Sequence, residues 1–472
     1  MRPGMIHLFR KACWGGIVCV WMVAFPIQAT PAGSEVSIAS LERIEVLDLA
    51  TAAKVALAEN PSLSAARARV EQAAQVVRQA QSGYWPQVDL SASASRVELS
   101  ERELAPQRAL LALGDPGARV KNPDTYYQSG VTANWLLFDG FARRFQLAAA
   151  RYGEHATSAA RDDAQRLLLS AVTFAFLQTQ LAQENVAIAR ADEEFNQRLL
   201  MEAQLRYDVG AGALSDVLNF QVRGNIAQSL RIQEERSYQV GLISLAALLG
   251  APQGRLPEHV RTAELDPTTA QELLEPRTAE LVQAAVDRRP DLRQTDWIVR
   301  QAEAGVHTAR AGYYPTIFLS GAVRGERPGD MGFDKDDFGN NVGVGLNWNI
   351  FAGGLTRARH GEARARLFEI ERIREDTRIQ VVSEVRRVIT QIDATQQQLV
   401  LQETNARLVQ QQRDLVEKEY KAGVGSLVRL NEAQRDLTVA QAQLALARVA
   451  LRVAWYDLQT ATGQIVETFQ VR

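Results

Sequence analysis

The chain has 472 residues, of which 46% are hydrophobic and 23% are charged, and its formal net charge is −2. This charge balance excludes a broadly basic nucleic-acid-binding protein, and the hydrophobic content excludes a disordered chain. The two cysteines, Cys13 and Cys19, both lie near the N-terminus, so a disulfide scaffold and a thiolate metal cluster are excluded for the rest of the chain.

Residues 1–29 are typical of a secretory signal peptide. Basic residues precede the apolar run Ala12–Phe25, and small residues follow it, with cleavage expected after Ala29 or Ala32. The run is short for a membrane span, and a short anchor helix is the alternative. Because apolar rather than small residues precede Cys19, we expect no lipid attachment. The mature protein is therefore expected to be exported and free of cysteine.

Two parts of the chain repeat each other. Ser82–Pro86 (SGYWP) matches Ala311–Pro315 (AGYYP) 229 positions later, and Asn134-Trp135 matches Asn347-Trp348 213 positions later. The offset falls by 16, so the first copy carries an insertion of that length, and the chain is a tandem duplication. We assign residues 46–250 to the first repeat, 251–276 to a linker, 277–463 to the second repeat and 464–472 to a C-terminal tail.

Each repeat ends in a long stretch that favours helices. No proline occurs between Pro123 and Pro252 or after Pro328, and good helix formers dominate both stretches. We predict helical hairpins over 140–249 and 354–461, whose first helices are about 100 Å long at 1.5 Å per residue. In the last helix, leucine recurs at every seventh position from Leu437 to Leu458 and alternates with alanine, as in a coiled coil. An ordinary buried helix explains this stripe equally well, but it does not explain the length.

Between the helices the apolar period changes to two. From Val342 to Ile350, apolar residues alternate with Gly or Asn, which indicates a strand with one apolar and one polar face. The same pattern predicts four strands of about ten residues, in β-hairpins over 86–138 and 315–351, and this length suits a tilted transmembrane strand. A soluble β-sandwich is the alternative. We assign the following residues to the lipid face: Val88, Leu90, Trp135, Ile317, Leu319, Leu346 and Trp348.

Aromatic residues gather where the strands meet the helices, as in a membrane-interface girdle. Four strands cannot close a membrane barrel, because every edge must pair and the smallest barrels have eight strands. Small or polar inner-face residues such as Gly343 and Asn347 favour a bore wider than that of an eight-stranded barrel. Twelve strands from three chains are the economical solution. The aromatics assigned to the interface are Tyr84, Trp85, Tyr313 and Tyr314.

No pattern in the sequence indicates an enzyme, a cofactor or a metal site. Gly343-Val344-Gly345 is a fragment of a dinucleotide-binding fingerprint, but it lies inside a strand and lacks the third glycine. Asp334, Asp336 and Asp337 resemble a calcium loop without its glycine, so a solvated hairpin loop is the better interpretation. We therefore predict a conduit whose energy comes from partner proteins.

These motifs together resemble the TolC family of outer-membrane channel-tunnels, from about Leu47 to Gly463. The resemblance rests on the ordered, duplicated set: Tyr84–Pro86 with Tyr313–Pro315, Asn134–Gly140 with Asn347–Gly353, and Tyr207–Val217 with Tyr420–Leu427. It implies a mainly α fold with a membrane β-barrel portion. It also implies that three chains form a 12-stranded barrel in the outer membrane of a Gram-negative bacterium and a 12-helix tunnel in the periplasm. The linker is expected at the waist of the tunnel.

The resemblance also implies roles for the two helix turns. They form the closed periplasmic tip that meets a periplasmic adaptor protein, and Asp216 and Tyr420 hold neighbouring helix pairs together by hydrogen bonds. Arg429 and Glu432 match positions that carry acidic rings in the family, and Arg429 departs from that pattern. The residues assigned to the gate and adaptor contact are Tyr207, Gly210, Gly212, Ser215, Asp216, Tyr420, Gly423, Gly425, Arg429 and Glu432.

By this resemblance the protein is the outer-membrane exit duct of a three-part export system, with an adaptor and an inner-membrane ABC exporter or other pump. The absence of a lipid-acceptor cysteine favours type I secretion of a protein, such as a repeat-in-toxin polypeptide. The alternatives are a multidrug or small-molecule efflux pump and a periplasmic coiled-coil adaptor or scaffold protein.

Overall fold

A computed structural model of the chain describes residues 44–114, 121–267 and 269–470. The expected signal peptide, residues 1–29, lies outside the described residues. The elements in chain order are β1 (Val46–Leu47), α1 (Leu49–Glu59), α2 (Pro61–Ser82), β2 (Gln87–Val97), α3 (Glu101–Gly114), β3 (Asp124–Phe138), α4 (Ala142–Asp208), α5 (Leu214–Leu249), β4 (Arg261–Thr262), α6 (Thr278–Arg288), α7 (Pro290–Ala311), β5 (Thr316–Pro328), β6 (Phe338–Asn347), α8 (Leu355–Lys421), α9 (Leu427–Ala461) and α10 (Ile465–Gln470). Short 3₁₀-helices lie at Ala270–Leu273 and Lys335–Asp337.

The two β-hairpins form one antiparallel sheet in the order β2-β3-β5-β6. β3 and β5 have 15 and 13 residues and are longer than the ten expected. β6 ends at Asn347 and not at Ile350, because Asn347 pairs with Thr316 and the next partner along β5 is Pro315, which has no N–H to extend the ladder. Trp348 and Ile350 therefore follow the strand.

The insertion in the first repeat forms a helix that the sequence analysis did not predict. α3 begins after Ser100, whose backbone N–H donates to the Glu103 carboxylate (3.1 Å) and whose hydroxyl contacts the same carboxylate (2.9 Å). This Ser-x-x-Glu pattern is typical of a helix start. The Leu104 side chain on this helix is fully buried.

The long helices pair into two antiparallel hairpins, α4 with α5 and α8 with α9, and α9 also packs against α4. Nearer the sheet, α2 and α7 pack on opposite sides of α4, and α7 also packs on α8. The heptad residues Leu437, Leu451 and Leu458 are buried, and Leu444 is partly buried. The side-by-side orders are therefore α5-α4-α9-α8 near the turns and α2-α4-α7-α8 near the sheet, with first-repeat helices at one edge and α8 at the other.

The linker between the repeats packs on the long helices. Its strand β4 pairs in parallel with β1. The Gln180 side chain on α4 donates to the Ala263 carbonyl (2.8 Å), and the Gln396 side chain on α8 donates to the Glu272 carbonyl (2.9 Å). Because Gln180 and Gln396 lie near the middle of helices of 67 residues, the linker contacts the helices about halfway along their length.

Among the described residues, one helix, α9, is long and apolar enough to cross a membrane by length and composition alone. Its apolar stripe packs against α8 and α4 instead, with Leu451, Ala454, Leu458 and Ala461 almost fully buried. The composition of α9 is therefore explained by coiled-coil packing.

Candidate functional site: a two-faced sheet and paired helix turns

The register of the sheet separates an apolar face from a polar face. One row across the strands consists of Val88, Ala133, Gly321 and Val342, and a neighbouring row consists of Trp135, Leu319 and Val344. Leu90 and the pair Ile317–Leu346 belong to the same face. Val342 and Val344 are 80% and 70% exposed, so this face is an uncovered apolar surface. The sequence-assigned lipid residues within the strands thus share one face, and Trp348 continues it beyond the end of β6.

The opposite face is polar over most of its height. Gln87, Asn134, Ser320 and Gly343 form one row across all four strands. Phe318 lies on this face opposite Gly345, and a Cβ added at Gly345 would come within 2.2 Å of its ring. Sequence reasoning missed this aromatic residue, because the glycine that makes room for it lies on another strand.

At the junction between sheet and helices, the Arg143 side chain makes polar contacts with four residues and thereby joins the end of β3 to the end of α2. Its guanidinium forms an ion pair with Asp139 (3.0 Å) and donates to the carbonyls of Gly83 (3.0 Å), Leu136 (2.5 Å) and Leu137 (3.0 Å). The Arg143 side chain is only 13% exposed. The sequence marked the aromatics of this junction but not this arginine, since its partners are mostly carbonyls that no sequence pattern reveals.

The interface aromatics make the same contact in both repeats. The Trp135 indole N–H donates to the Tyr84 carbonyl (3.0 Å), and the Trp348 indole N–H donates to the Tyr313 carbonyl (3.2 Å). Tyr84, Tyr313 and Tyr314 are 40–45% exposed and Trp85 is 73% exposed. Each tryptophan therefore fixes the end of a strand to the end of α2 or α7 and leaves aromatic rings at the surface.

The two helix turns have the same backbone hydrogen bonds. In the first, the N–H of Gly210 donates to the Tyr207 carbonyl (2.9 Å) and the next N–H to the Arg206 carbonyl (2.8 Å). In the second, Gly423 donates to the Tyr420 carbonyl (3.0 Å) and the next N–H to the Glu419 carbonyl (3.1 Å). This is the Schellman arrangement, and the φ angles of 73° and 77° at Gly210 and Gly423 explain the glycines.

The second glycine of each turn, Gly212 or Gly425, is needed for a different reason. A Cβ added at Gly212 would lie 3.1 Å from the Tyr207 nitrogen, and one added at Gly425 would lie 2.8 Å from the Tyr420 nitrogen. These glycines allow the chain to pass close to the end of the preceding helix. Ser215 is exposed, and Ser426 rather than Ser215 caps a helix, since its hydroxyl accepts from the Arg429 N–H (3.3 Å).

Near the turns an apolar cluster holds the two hairpins together. It contains Phe195 and Phe220 from the first hairpin and Val416 and Leu430 from the second, and Tyr420 packs on it. The Tyr420 ring meets Phe220 edge to face at 6.4 Å. Burial, and then the negative charge of Asp216, raise the pKa of the Tyr420 hydroxyl. In the part of the chain that the structure describes, no hydrogen bond joins Asp216 and Tyr420, so their contact is electrostatic.

Polar contacts also join the two hairpins, at positions farther from the helix turns, and the sequence did not predict them. The Asp192 carboxylate on α4 accepts from the side chains of Gln434 (2.8 Å) and Thr438 (3.2 Å) on α9. Closer to the turns, the Asn431 amide donates to the Asn219 amide oxygen (2.9 Å). These pairs are 212 to 246 residues apart in the chain, so no local pattern predicts them.

The charged residues near the second turn are mostly paired. Arg429 forms an ion pair with Glu419 (3.3 Å), and Glu432 is exposed. Glu417 accepts hydrogen bonds from Arg413 (2.7 Å) and Lys421 (2.8 Å). Burial raises the pKa of the Glu417 carboxyl, but the hydrogen bonds and charges of Lys421 and Arg413 outweigh burial and hold that pKa below its ordinary value. Within the described segments, no group of three or more His, Cys, Asp or Glu residues could hold a metal ion.

Comparison with known proteins identifies a family. The family model described as "Outer membrane efflux protein" matches residues 52–251 and 281–464. The pyoverdine export outer membrane protein OpmQ of Pseudomonas aeruginosa is 27% identical over 85% of this chain and 82% of its own length. The outer membrane protein TolC of Vibrio cholerae is 22% identical over 86% of this chain and 89% of its own. The alkaline protease secretion protein AprF of Pseudomonas aeruginosa is 25% identical over 65% of this chain and 63% of its own.

Solved structures show the same fold. A membrane protein from Pseudomonas aeruginosa superposes with a TM-score of 0.73 at 22% identity, over 88% of this chain and 93% of that one. The CmeC outer membrane channel of Campylobacter jejuni superposes with a TM-score of 0.74 at 17% identity, over 90% of this chain and 88% of that one. At these identities the superpositions support the fold alone.

Proposed function

Because the chain belongs to the outer membrane efflux protein family, we propose that it is the homotrimeric exit duct of a three-part secretion system. Membership of the family makes it a non-enzymatic export channel of the outer membrane that extends into the periplasm. The proposal concerns three finer points: the trimer, the partners and the cargo.

The sheet is the observation that carries the proposal. Its apolar face is exposed over four strands, and its outer strands β2 and β6 each pair with one neighbour only among the described residues. In a bilayer, unpaired strand edges leave backbone groups without hydrogen bonds, so β6 of one chain must pair with β2 of the next. Three chains supply twelve strands, which leave a bore wide enough for water.

The helices at the two edges support the same assembly. On α8, Leu401, Leu408 and Leu415 are exposed and recur every seven residues. On α5, at the other edge, exposed apolar residues lie on one face within about 120° of the helical wheel: Leu214, Leu218, Val222 and Ile226. Such stripes are typical of coiled-coil seams, so we infer that α5 of one chain packs on α8 of its neighbour and closes a ring of three.

The proposed partners are a periplasmic adaptor at the two helix turns and an inner-membrane ABC exporter. Gly210–Gly212 and Gly423–Gly425 lie at the end of the molecule farthest from the sheet, because α4 and α8 each extend about 100 Å from the junction. The sequence carries no nucleotide-binding motif, so energy for export must come from a partner.

The proposed cargo is an unfolded polypeptide, and the polar face of the sheet supports it. Rows of Gln, Ser, Thr, Asn and Gly offer hydrogen bonds to a passing chain without a deep apolar pocket that holds it. The similarity to AprF, whose name describes protease secretion, favours this cargo. Small-molecule efflux is the second candidate, favoured by the similarity to OpmQ, whose name describes pyoverdine export.

Deleting the gene from its native cells tests both candidates. We expect a large secreted protein to disappear from the culture supernatant and to return when the wild-type gene is restored. If the supernatant proteins are unchanged while sensitivity to dyes and detergents rises, efflux replaces secretion as the function. Cross-linking of intact cells tests the trimer separately, and a product of three chains is expected.

A further inference from the structure

We propose that four exposed arginines, Arg144, Arg151, Arg357 and Arg364, form a basic collar that binds the anionic headgroups of phospholipids in the periplasmic leaflet of the outer membrane. The proposal rests on the outer-membrane placement of the sheet. It assigns a lipid partner to a helix surface just below the barrel, on the same side as the apolar face.

The first repeat places its two arginines on the outer side. Phe138 pairs with Ile317 and therefore lies on the apolar face of the sheet. The Phe141 ring packs edge to face on Phe138 at 5.4 Å, so Phe141 is also on the outer side. Arg144 lies three residues after Phe141, which directly precedes α4, and Arg151 follows Arg144 by seven residues, a spacing that keeps the two arginines on one face of α4.

The second repeat keeps the same arrangement. Arg357 and Arg364 lie 213 positions after Arg144 and Arg151, and Phe351 lies 213 positions after Phe138. Phe351 is 87% exposed, as expected for a ring that faces lipid headgroups. The duplication has therefore preserved the aromatic residue and both arginines at both helix starts.

The four arginines have no carboxylate partner among the described residues, and the guanidinium of Arg144 lies 6.0 Å from the centre of the Phe145 ring. All four are exposed, and none forms an ion pair within the segments that the structure describes. Arg413 and Arg429, far from the sheet, are paired with glutamates on α8. An exposed cation without a carboxylate partner at the membrane edge is complementary to an anionic surface.

The positions of Arg144 and Arg357 in the helices favour an external anion. Both lie in the first turn, of α4 and α8, and neither first turn contains an acidic residue. At α4 the Asp139 carboxylate, just before the helix, accepts from the Arg143 backbone N–H (2.9 Å) and offsets part of the local positive charge. A helix N-terminus carries a partial positive charge, so an arginine there is locally unfavourable, and a phosphate group relieves both charges at once.

Phe141, directly before the first turn of α4, has an unfavourable backbone conformation. Its φ angle is 71°, a conformation that side chains other than glycine rarely adopt, whereas the second repeat has Gly354 at φ 87° in the equivalent position. A strained aromatic residue that is 55% exposed is consistent with a ring anchored in the headgroup layer.

The reach of the side chains fits the depth of the headgroups. Arg151 and Arg364 lie about 10 Å below Arg144 and Arg357 along the helix axes. Side chains on a helix tilt towards its N-terminus, and α4 and α8 both begin at the barrel, so all four guanidinium groups lean towards the membrane. The lower pair lies within about one Debye length of the surface and still adds to the attraction.

Native mass spectrometry of the full mature chain, released from vesicles of equal phosphatidylglycerol and phosphatidylcholine, tests the collar. We expect the wild-type protein to retain phosphatidylglycerol in preference to phosphatidylcholine. The double substitution Arg144→Gln and Arg357→Gln should lower the ratio of retained phosphatidylglycerol to phosphatidylcholine at least tenfold, since each arginine raises the affinity for an anionic headgroup roughly fivefold.

The matched control is Arg359→Gln with Arg366→Gln. These residues lie on the opposite side of α8, in a groove against α7, and removing them deletes the same charge. The control should keep the lipid preference. An equal loss in both variants, no preference in the wild type, or full displacement of the lipid by inorganic phosphate would overturn the proposal. Secretion is measured separately, so a collar variant that loses lipid but still exports protein leaves the proposed function standing.

Discussion

An arginine scan along β6 tests the two faces of the sheet and their depth in the membrane. We place Trp348 at the periplasmic interface of the membrane, and each residue of a tilted strand advances about 2.6 Å across the membrane. Leu346 then lies about 5 Å, Val344 about 10 Å and Val342 about 16 Å from the level of Trp348. Because the apolar band is about 25 Å thick, Val344 and Val342 lie on either side of its midplane.

The expected costs follow from these depths. Val344→Arg and Val342→Arg should each destabilise the inserted protein by about 2–4 kcal/mol per chain, and Leu346→Arg by about 0–1 kcal/mol. Gly343→Arg is the matched control, since it lies between the two valines on the polar face and the atom nearest an added Cβ is 4.0 Å away. We expect it to leave stability nearly unchanged. Gly345 is unsuitable, because Phe318 covers it.

Urea unfolding of protein refolded into lipid vesicles measures these differences. Intrinsic tryptophan fluorescence and gel mobility report the folded fraction, and the slope with urea shows whether each variant unfolds in the same way. If Gly343→Arg costs as much as Val344→Arg, the assigned faces are wrong. If Leu346→Arg costs more than Val344→Arg, the faces stand but the depth assignment is wrong.

Three further predictions concern the helices and the junction. Gly210→Ala should lower the free energy of unfolding by about 1 kcal/mol, because the φ angle at Gly210 is 73°. Gly224→Ala, at an open position inside α5, should raise the free energy of unfolding by about 0.5 kcal/mol. Urea titration measures both changes. Arg143→Gln should cost about 3 kcal/mol by thermal or urea unfolding and Arg144→Gln much less, since only Arg143 is buried with partners. In the folded protein the pKa of Glu417 lies below its ordinary value of 4.5, so its ion pairs stabilise the protein above that pH and are lost as the pH falls. The difference in melting temperature between the wild type and Glu417→Gln should therefore shrink below about pH 4.5.

The sequence predicted the helices well, because local chemistry determines where they end. The motif Tyr207–Val217 contains the turn after α4, and the helix ends within it, at Asp208 before Gly210. Glycines with positive φ and the long stretches without proline are signals that need no tertiary information. The faces of the strands were predictable for the same reason, since successive side chains in a strand point to opposite faces whatever the register of pairing.

What could not be predicted depends on register or on distant partners. β6 stops at Asn347 because its partner strand begins after Pro315, and this follows only once the pairing is known. Phe318 needs Gly345 on the neighbouring strand, and Asp192 needs Gln434, more than 200 residues away. Such contacts leave no trace in local periodicity, so the sequence alone does not reveal the contacts that hold the sheet and the helix turns in place.

The two helix turns share a backbone but carry opposite charges. Arg206 occupies the position that Glu419 has in the second repeat, and Asp216 occupies that of Arg429. Glu419 and Arg429 form an ion pair within the second hairpin, while the Arg206 guanidinium lies 5.6 Å from the centre of the Tyr420 ring, on the neighbouring hairpin. In the proposed ring the first and second hairpins alternate, so the inversion makes neighbouring turns different in charge as well as in sequence. We therefore expect an adaptor that docks on the tip of the proposed trimer to find three equivalent sites rather than six.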